Sequence, residues 1–175
     1  MEMQYKMGKV GLKPFDKEDL IHSNYKNWLN NINVNKYMYR GKFPLTDNNI
    51  QDIFDSIDRK EKIEWAIYYL EEKNICVHVG NISLENIDFI NSSAEIIIVL
   101  GEVDFWGKGI GTIAWEMAIR HGFKKLKLHR LYAGTHENNK GMIKNAGQNL
   151  IPFSFIPDQS AFKGYRFTYY YRNIH

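Results

Sequence analysis

A glycine-rich segment between an apolar run and an amphipathic helix constrains this chain more than any other feature. The run SAEIIIVL (93–100) is followed by GEVDFWGKGIG, which places three glycines within residues 107–111. Glycine is costly inside regular structure, so such a cluster indicates a main chain that must be approached closely. A strand, a glycine-rich turn and a helix together expose unpaired N–H groups at the positive end of the helix dipole, where an anion is stabilised. The sequence therefore predicts a phosphate cradle over residues 107–112.

Two familiar phosphate motifs fit the segment less well. The P-loop requires G-x-x-x-x-G-K-[ST], but five residues separate Gly101 from Gly107, and Gly109 stands where Ser or Thr is needed. The dinucleotide fingerprint G-x-G-x-x-A is matched by GIGTIA (109–114). However, eight residues separate it from Leu100, and no acidic residue ends the next apolar run, HRLYAG. The structural alternative is a tight turn and helix entry with no ligand.

Hydrophobic periodicity predicts a mixed α/β single domain. IEWAIYYL, the turn EEKN and ICVHVGNISL form a hairpin pattern, and ENIDFINS is a polar break before the next strand. One helix is predicted over DKEDLIHSNYKNWL with Asp16 as its N-cap, and a second is capped by Thr46 or Asp47. The run from Ile96 to Leu100 is apolar on both faces, which predicts a central strand covered on both sides. The predicted order is β, α, α, β, β, β, α, β, α, β, β.

Composition excludes several classes of protein. The formal charge of +3 over 175 residues is too small for a nucleic-acid-binding protein, which usually carries a dense basic patch. The single cysteine, Cys76, rules out an internal disulfide framework and fits a reducing compartment. The polar amino terminus and the absence of a long apolar run predict a soluble cytoplasmic protein that has no membrane partner.

The glycine-rich segment resembles the signature of the GNAT superfamily of N-acetyltransferases, which use acetyl-CoA. In that signature, [QR]-x-x-G-x-[GA], WGKGIG matches at Gly109 and Gly111, and Trp106 replaces the usual Gln or Arg. Together with HRLYAGTHENNKGMIK, the segment looks like the branch containing ribosomal-protein and polyamine acetyltransferases. The resemblance extends from about Leu12 to Tyr171. It implies one domain over 1–175, with a mostly antiparallel sheet flanked by helices and splayed between its fourth and fifth strands.

The resemblance also implies where acetyl-CoA binds. The pantetheine arm lies along the fourth strand, the pyrophosphate lies on the glycine-rich turn, and an Asn after the fifth strand contacts the arm. A main-chain amide near Val99 or Leu100 polarises the thioester carbonyl, while Lys108 and Lys144 are further phosphate partners. No metal is expected. The implied cofactor-binding residues are Ile98, Val99, Leu100, Gly107, Lys108, Gly109, Ile110, Gly111, Thr112 and Asn139, with Asn138 as the alternative to Asn139.

Acetyl transfer to an amine needs the amine neutral, so a base or a water relay is expected. Glu95 begins the apolar strand, where partial burial raises the pKa of a carboxyl group; the alternative is a solvated glutamate. His136 is the second candidate because an unperturbed imidazole titrates near neutrality, although most loop histidines are plain surface groups. Many family members place a tyrosine acid seven residues after the Asn, where this chain has Ala146. An acid must therefore come from elsewhere, or from water.

The acceptor is predicted only by class, as a small-molecule or peptide amine. Lys36, Arg40 and Lys42 in NVNKYMYRGKFP disfavour a polycation and suit an acidic or phosphate-bearing acceptor, unless this loop is simply solvated. A catalytically silent acyl-CoA-binding module is the alternative function. Trp106 and Trp115 either pack in the core or form a subunit contact, which leaves a homodimer open.

Overall fold

The computed structural model describes residues 2–71, 75–148, 156–158 and 164–170. Over these ranges the chain forms strands and helices in a mixed order. The strands are β1 (Tyr5–Met7), β2 (Val10–Pro14), β3 (Ile63–Leu70), β4 (Cys76–Asp88), β5 (Ser93–Leu100), β6 (Arg130–His136), β7 (Ile156–Asp158) and β8 (Gly164–Tyr170). The helices are α1 (Lys17–His22), α2 (Tyr25–Asn30), α3 (Ile32–Asn35), α4 (Asp47–Asp55), α5 (Ile110–Lys124) and α6 (Lys140–Gln148), with 3-10 helices at Tyr39–Lys42 and Val103–Phe105.

All the strands belong to one sheet, in the order β1-β2-β3-β4-β5-β6-β8-β7. Neighbouring strands are antiparallel except for β5 and β6, which are parallel. One face of the sheet packs against α5 and α6, and the other packs against α1, α2 and α4. The mixed α/β class and the mostly antiparallel sheet are therefore confirmed.

Strands β5 and β6 separate soon after they begin. Their pairing comprises Ser93 with Arg130, Ala94 with Leu131 and Glu95 with Tyr132, whereas β4 follows β5 as far as Leu100. Because β1 precedes the strand that was predicted to be first, β5 and β6 are the fourth and fifth strands of the predicted fold. The predicted splay is confirmed, and its gap opens towards the carboxyl ends of both strands.

Each face of the sheet has its own apolar core. On the α5 face, Trp65 and Trp115 are fully buried, and Ala94 and Ile96 of β5 belong to the same cluster. On the α1–α4 face, the core forms around Phe15, Tyr25 and Trp28. Because side chains alternate along a strand, Glu95, Ile97 and Val99 point to the α1–α4 face. Strand β5 is central in the sheet, as predicted, and its residues 97–100 are half-buried where β6 diverges.

Local contacts explain where the elements differ from prediction. Asp16 caps α1 in a capping box, and Thr46 rather than Asp47 caps α4. The predicted first helix is two helices, because Ser23 is extended and its hydroxyl accepts the Tyr25 N–H. Ser and Asn side chains compete in this way for main-chain bonds.

Strand β4 also extends beyond its predicted end. It runs through the polar break to Asp88, around a register shift at which Asn86 has a φ of 52°. Residues 72–74 of the predicted turn, 151–155 of the predicted strand IPFSFIP and 171–172 at the end of YRFTYYYR lie outside the described residues. Within the described ranges, no helix has both the length and the hydropathy needed to cross a bilayer.

Two histidines in apolar surroundings make the fold sensitive to acid. Burial lowers the pKa of His78, whose ring packs edge-on against Trp28. Burial is the larger cause that lowers the pKa of His121, and the charge of Lys125 is the smaller one. The Nδ1 atom of His121 lies 2.7 Å from the Tyr5 hydroxyl oxygen. Both groups have a pKa in the folded state below the ordinary 6.5, so the unfolded chain binds more protons in acid. Their contribution to stability is complete above about pH 6.5 and is lost as the pH falls below it.

We therefore expect the free energy of unfolding, measured by urea denaturation, to decrease as the pH falls from about 7.5 to about 5.5. His121→Gln removes one titrating ring and keeps a polar partner for Tyr5, so its stability should depend less steeply on pH. A wild-type free energy of unfolding that stays constant over this interval would contradict the argument.

Candidate active site

The turn before α5 presents main-chain groups to open space. Gly107 and Gly109 have φ values of 77° and 75°, which are left-handed conformations that favour glycine. Gly109 is the N-cap of α5, and as a glycine it has no side chain to accept the N–H groups of the first turn. A Cβ added at either glycine would meet nothing within 4 Å. The N–H groups of the first turn, Ile110 to Thr112, have no acceptor inside the helix. The turn therefore fits an approaching anion.

Gly111 has a different requirement. It is buried, and a Cβ there would lie 2.7 Å from Asn145 Nδ2 and 3.1 Å from Leu100 Cδ1. Next to it, the Thr112 hydroxyl donates to Asn145 Oδ1 at 3.0 Å. The missing side chain of Gly111 thus lets α5 pack closely against α6 and the end of β5, while its main-chain N–H stays in the first turn.

Side chains of the turn fold back onto the protein. Trp106, which stands where the signature has Gln or Arg, donates its indole N–H to the Leu100 carbonyl at 3.0 Å. It thereby ties the turn to the end of β5. The Lys108 ammonium lies 4.4 Å from the centre of the Phe105 ring and 5.9 Å from that of Tyr69. Phosphate binding by Lys108 remains a prediction.

The register of β5 separates the main-chain groups that face the gap from those that do not. The Gly101 N–H donates to the Val79 carbonyl of β4 at 2.9 Å, and a Cβ on Gly80 of β4 would collide with the Val99 carbonyl oxygen. Successive residues direct their main-chain groups to opposite edges of a strand, so those of Val99 point to β4. Those of Ile98 and Leu100 point to the gap. Val99 and Leu100 are the two residues whose N–H was predicted to polarise the thioester carbonyl. Because only the Leu100 groups point to the gap, the register favours Leu100 for this role.

Glu95 lies where β5 and β6 part. It is half-buried and is paired with Glu85 of β4 and Tyr132 of β6. Asn86 donates to Glu95 Oε2 at 3.2 Å, and this asparagine occupies the left-handed position at the irregularity of β4. Irregularities of this kind re-aim side chains and are common beside active sites. The structure thus places an oriented carboxylate on the α1–α4 face at the closed end of the gap.

A polar cluster that the sequence did not reveal adjoins Glu95. Lys62 Nζ lies 3.3 Å from Glu64 Oε2 and 3.0 Å from Glu85 Oε1. Asn81 Nδ2 donates to Glu64 Oε1 at 2.7 Å, and the Ser83 hydroxyl donates to Glu85 Oε1 at 2.9 Å. In the sequence these residues alternate with apolar ones and are typical of a solvated strand face, but helices cover that face here. The ammonium of Lys62 offsets the Glu85 charge that faces Glu95.

His136 and Asn139 lie beyond the end of β6. The Asn138 N–H donates to His136 Nδ1 at 3.1 Å, and the His136 ring stacks on Tyr37 with centroids 5.5 Å apart. A neutral ring that accepts at Nδ1 carries its proton on Nε2, and a catalytic role for His136 remains a prediction. Asn139 Oδ1 accepts the Met142 N–H at 3.1 Å and caps α6. Its contact with a cofactor remains a prediction.

A cavity of about 350 Å³ lies between the Ile32–Lys42 segment and the end of β6. His136 follows Tyr132 by four residues, as Val99 follows Glu95. Because Glu95 and Tyr132 are partners, His136 and Val99 are at the same height on the two arms of the gap, and both point to the α1–α4 face. The residues lining the cavity are Ile32, Asn35, Lys36, Tyr37, Met38, Gly41, Lys42 and His136.

A second cleft, of about 230 Å³, lies between α2 and the chain that follows β5. Glu102 forms part of its wall, and Glu102 Oε1 accepts the Trp28 indole N–H at 2.9 Å and the Asn24 amide at 2.8 Å. These contacts join α2 to the turn before α5, so Glu102 has a structural role. Among the residues with described side chains, no group of His, Cys, Asp and Glu is arranged to hold a metal ion.

Comparison with known proteins agrees with this architecture. The model of the Acetyltransferase (GNAT) domain matches residues 9–148. Spermidine N(1)-acetyltransferase of Escherichia coli K12 is 28% identical over 138 residues, which cover 77% of this chain and 68% of that protein. The crystal structure of a domain from Methanocaldococcus jannaschii has a TM-score of 0.78 at 22% identity and covers 95% of this chain and 99% of its own.

A further solved structure carries ligands. The spermidine N-acetyltransferase of Vibrio cholerae, in complex with CoA and spermine, has a TM-score of 0.76 at 17% identity and covers 94% of this chain and 96% of its own. The splayed sheet, the amide-lined turn before α5 and the family match over most of the chain agree with one another. The chain therefore belongs to the GNAT family and is an acetyl-CoA-dependent N-acetyltransferase that acts on an amine.

Proposed function

We propose that this enzyme passes the acetyl group directly to a primary amine of a small molecule held on the α1–α4 face of the gap, with Glu95 as the base. The observation that carries the proposal is the position of Glu95. Its carboxylate lies on that face at the closed end of the gap, whereas the amide-lined turn lies beyond the open end of β5. Donor and acceptor can therefore approach each other from opposite faces of the sheet.

The chain offers a consistent set of groups for acetyl-CoA. The turn over residues 107–112 fits the pyrophosphate, because Gly107 and Gly109 leave open the space that a Cβ would fill. Main-chain groups of Ile98 and Leu100 face the gap, where the pantetheine arm would bind. When bound, acetyl-CoA supplies the thioester carbonyl carbon that an amine can attack. The Leu100 N–H then stabilises negative charge developing on the carbonyl oxygen, an effect commonly worth about 3–4 kcal/mol per donor.

Glu95 accepts the proton that the amine loses. Asn86 holds one carboxylate oxygen from the side of β4, and Lys62 and Ser83 hold Glu85 nearby. Glu85 is thus occupied by its own partners, and Glu95 is the carboxylate that borders the gap. His136, whose Nε2 carries a proton, lies on the opposite arm and can donate a hydrogen bond to the acceptor. The departing thiolate takes its proton from water, and the proton on Glu95 returns to solvent.

Two measurements test the proposal. The release of free CoA thiol is measured with each amine of a panel, and calorimetry measures the binding of acetyl-CoA. We expect binding to the wild-type protein, and thiol release that requires both an amine and Glu95. The panel includes spermidine, because two of the similar proteins are spermidine N-acetyltransferases. Binding without thiol release for any amine would favour a silent acyl-CoA-binding module and would contradict the proposal.

A further inference from the structure

We propose that the acceptor amine also carries an anionic group, a carboxylate or a phosphate, which Lys36 and Lys42 bind at the cavity under residues 32–42. This inference rests on the proposed function and adds the class of acceptor. It departs from the spermidine acetyltransferases that the chain resembles, because spermidine carries only positive charges. Its basis is the position of the cavity, the charge of its lining and the stacked rings in its wall.

The position of the cavity suits an acceptor that reaches Glu95. His136 forms the wall on the β6 side and stands level with Val99 across the gap. The face is the one on which Glu95 lies, four strand residues from the level of His136, so the acceptor would extend from the 32–42 segment along this face towards the carboxylate. The volume of about 350 Å³ is in the usual range for a small-ligand pocket.

The described lining of the cavity includes two lysines and no carboxylate. Lys36 is exposed, and its ammonium lies 5.0 Å from the centre of the Tyr37 ring. Within the described part of the chain, Lys36 makes no salt bridge, whereas Lys13, Lys26 and Lys62 each pair with a carboxylate. A second ammonium group, such as the far end of a polyamine, would meet like charge here, whereas an anion would meet opposite charge.

Two stacked aromatic rings form one wall of the cavity. Tyr37 and His136 stack with an interplanar angle of 22°, and Lys36 extends over the Tyr37 ring. This arrangement fixes the 32–42 segment against the end of β6 and presents the His136 Nε2–H as a donor beside the lysines. Carboxylate and phosphate oxygens accept hydrogen bonds from such donors and from ammonium groups.

The test is a charge reversal at both lysines. Lys36→Glu/Lys42→Glu is compared with wild type and with Lys6→Glu, a matched change at an exposed position of the edge strand β1. The acceptors form pairs that differ in one charged group: γ-aminobutyrate with putrescine, and glucosamine phosphate with glucosamine. Spermidine completes the panel. Thiol release gives kcat/KM, and calorimetry with CoA present gives acceptor affinity.

We expect wild type to favour the anionic member of a pair by about tenfold or more, and the double variant to lose that preference through KM, as expected when a charged binding contact is removed. The preferred pair distinguishes carboxylate from phosphate. Lys6→Glu should behave as wild type, and acetyl-CoA affinity should be the same in all three proteins.

Two results would overturn the inference. The first is a wild-type preference for spermidine or putrescine that the double variant leaves unchanged. The second is weaker acetyl-CoA binding in the double variant, which would assign the lysines to the cofactor phosphates. If no amine releases thiol, the proposed function fails, and the calorimetric affinities of the paired acceptors still decide whether the lysines bind the anion.

Discussion

Replacing Glu95 by Gln is expected to lower kcat by about 10²–10⁴-fold, the range typical of a lost general base. Acetyl-CoA affinity should change little, because the amide-lined turn and the gap-facing groups of Ile98 and Leu100 are main-chain groups. Gln keeps the size of the side chain and accepts a hydrogen bond from Asn86, but it does not take up a proton. Thiol release measures kcat, and calorimetry measures the affinity for acetyl-CoA.

The pH dependence separates loss of the base from loss of structure. Without Glu95, the reaction depends on amine that has already lost its proton in solution, so the residual rate should rise with pH towards the pKa of the acceptor. Turnover equal to wild type at every pH would exclude Glu95 as the base.

Asn86→Gly provides a companion variant for Glu95. The φ of 52° at Asn86 suits glycine, so the β4 irregularity should survive while the amide that orients Glu95 is lost. A smaller fall in kcat than for Glu95→Gln would make Asn86 a positioning residue. A variant with wild-type kcat would show that the 3.2 Å contact does not matter for turnover.

The sequence predicted those parts of the fold that short-range patterns determine. The bounds of β3 and β5 follow from apolar runs between polar turns, and α1 and α4 begin at the predicted caps. Two departures had tertiary causes. Strand β4 continues through a polar segment because Asp88 still pairs with Ser93 of β5, and β1 forms because three residues of ordinary composition find a partner in β2.

The candidate site was predictable where it depends on main-chain geometry. The cluster Gly107, Gly109 and Gly111 indicated the turn, although only the first two have the left-handed conformation and the third serves helix packing. The groups around Glu95 were not predictable. Their contacts cross from β3 to β4 and from β4 to β5, so they depend on strand register and on the irregularity at Asn86, which one residue of slip would change.

Position 109 allows the phosphate cradle itself to be tested with a matched control. Gly109→Ala places a Cβ in open space at a left-handed residue, at a conformational cost of roughly 1–2 kcal/mol for an L-residue. The new methyl group also stands beside the amides of the first turn of α5. If each hydrogen bond to a charged group contributes about 1.5–3 kcal/mol, the loss of one such bond weakens acetyl-CoA binding by about tenfold to hundredfold.

Gly8→Ala is the control, because it introduces the same backbone strain at a position outside the phosphate cradle. Gly8 lies between β1 and β2 with a φ of 58°, and a Cβ there would also meet nothing within 4 Å. Urea denaturation should show similar losses of stability for the two variants, whereas calorimetry should show weaker acetyl-CoA binding for Gly109→Ala alone. Equal affinities in both variants and wild type would mean that the diphosphate is held elsewhere, and the main-chain amides before α5 would then have no part in binding the donor.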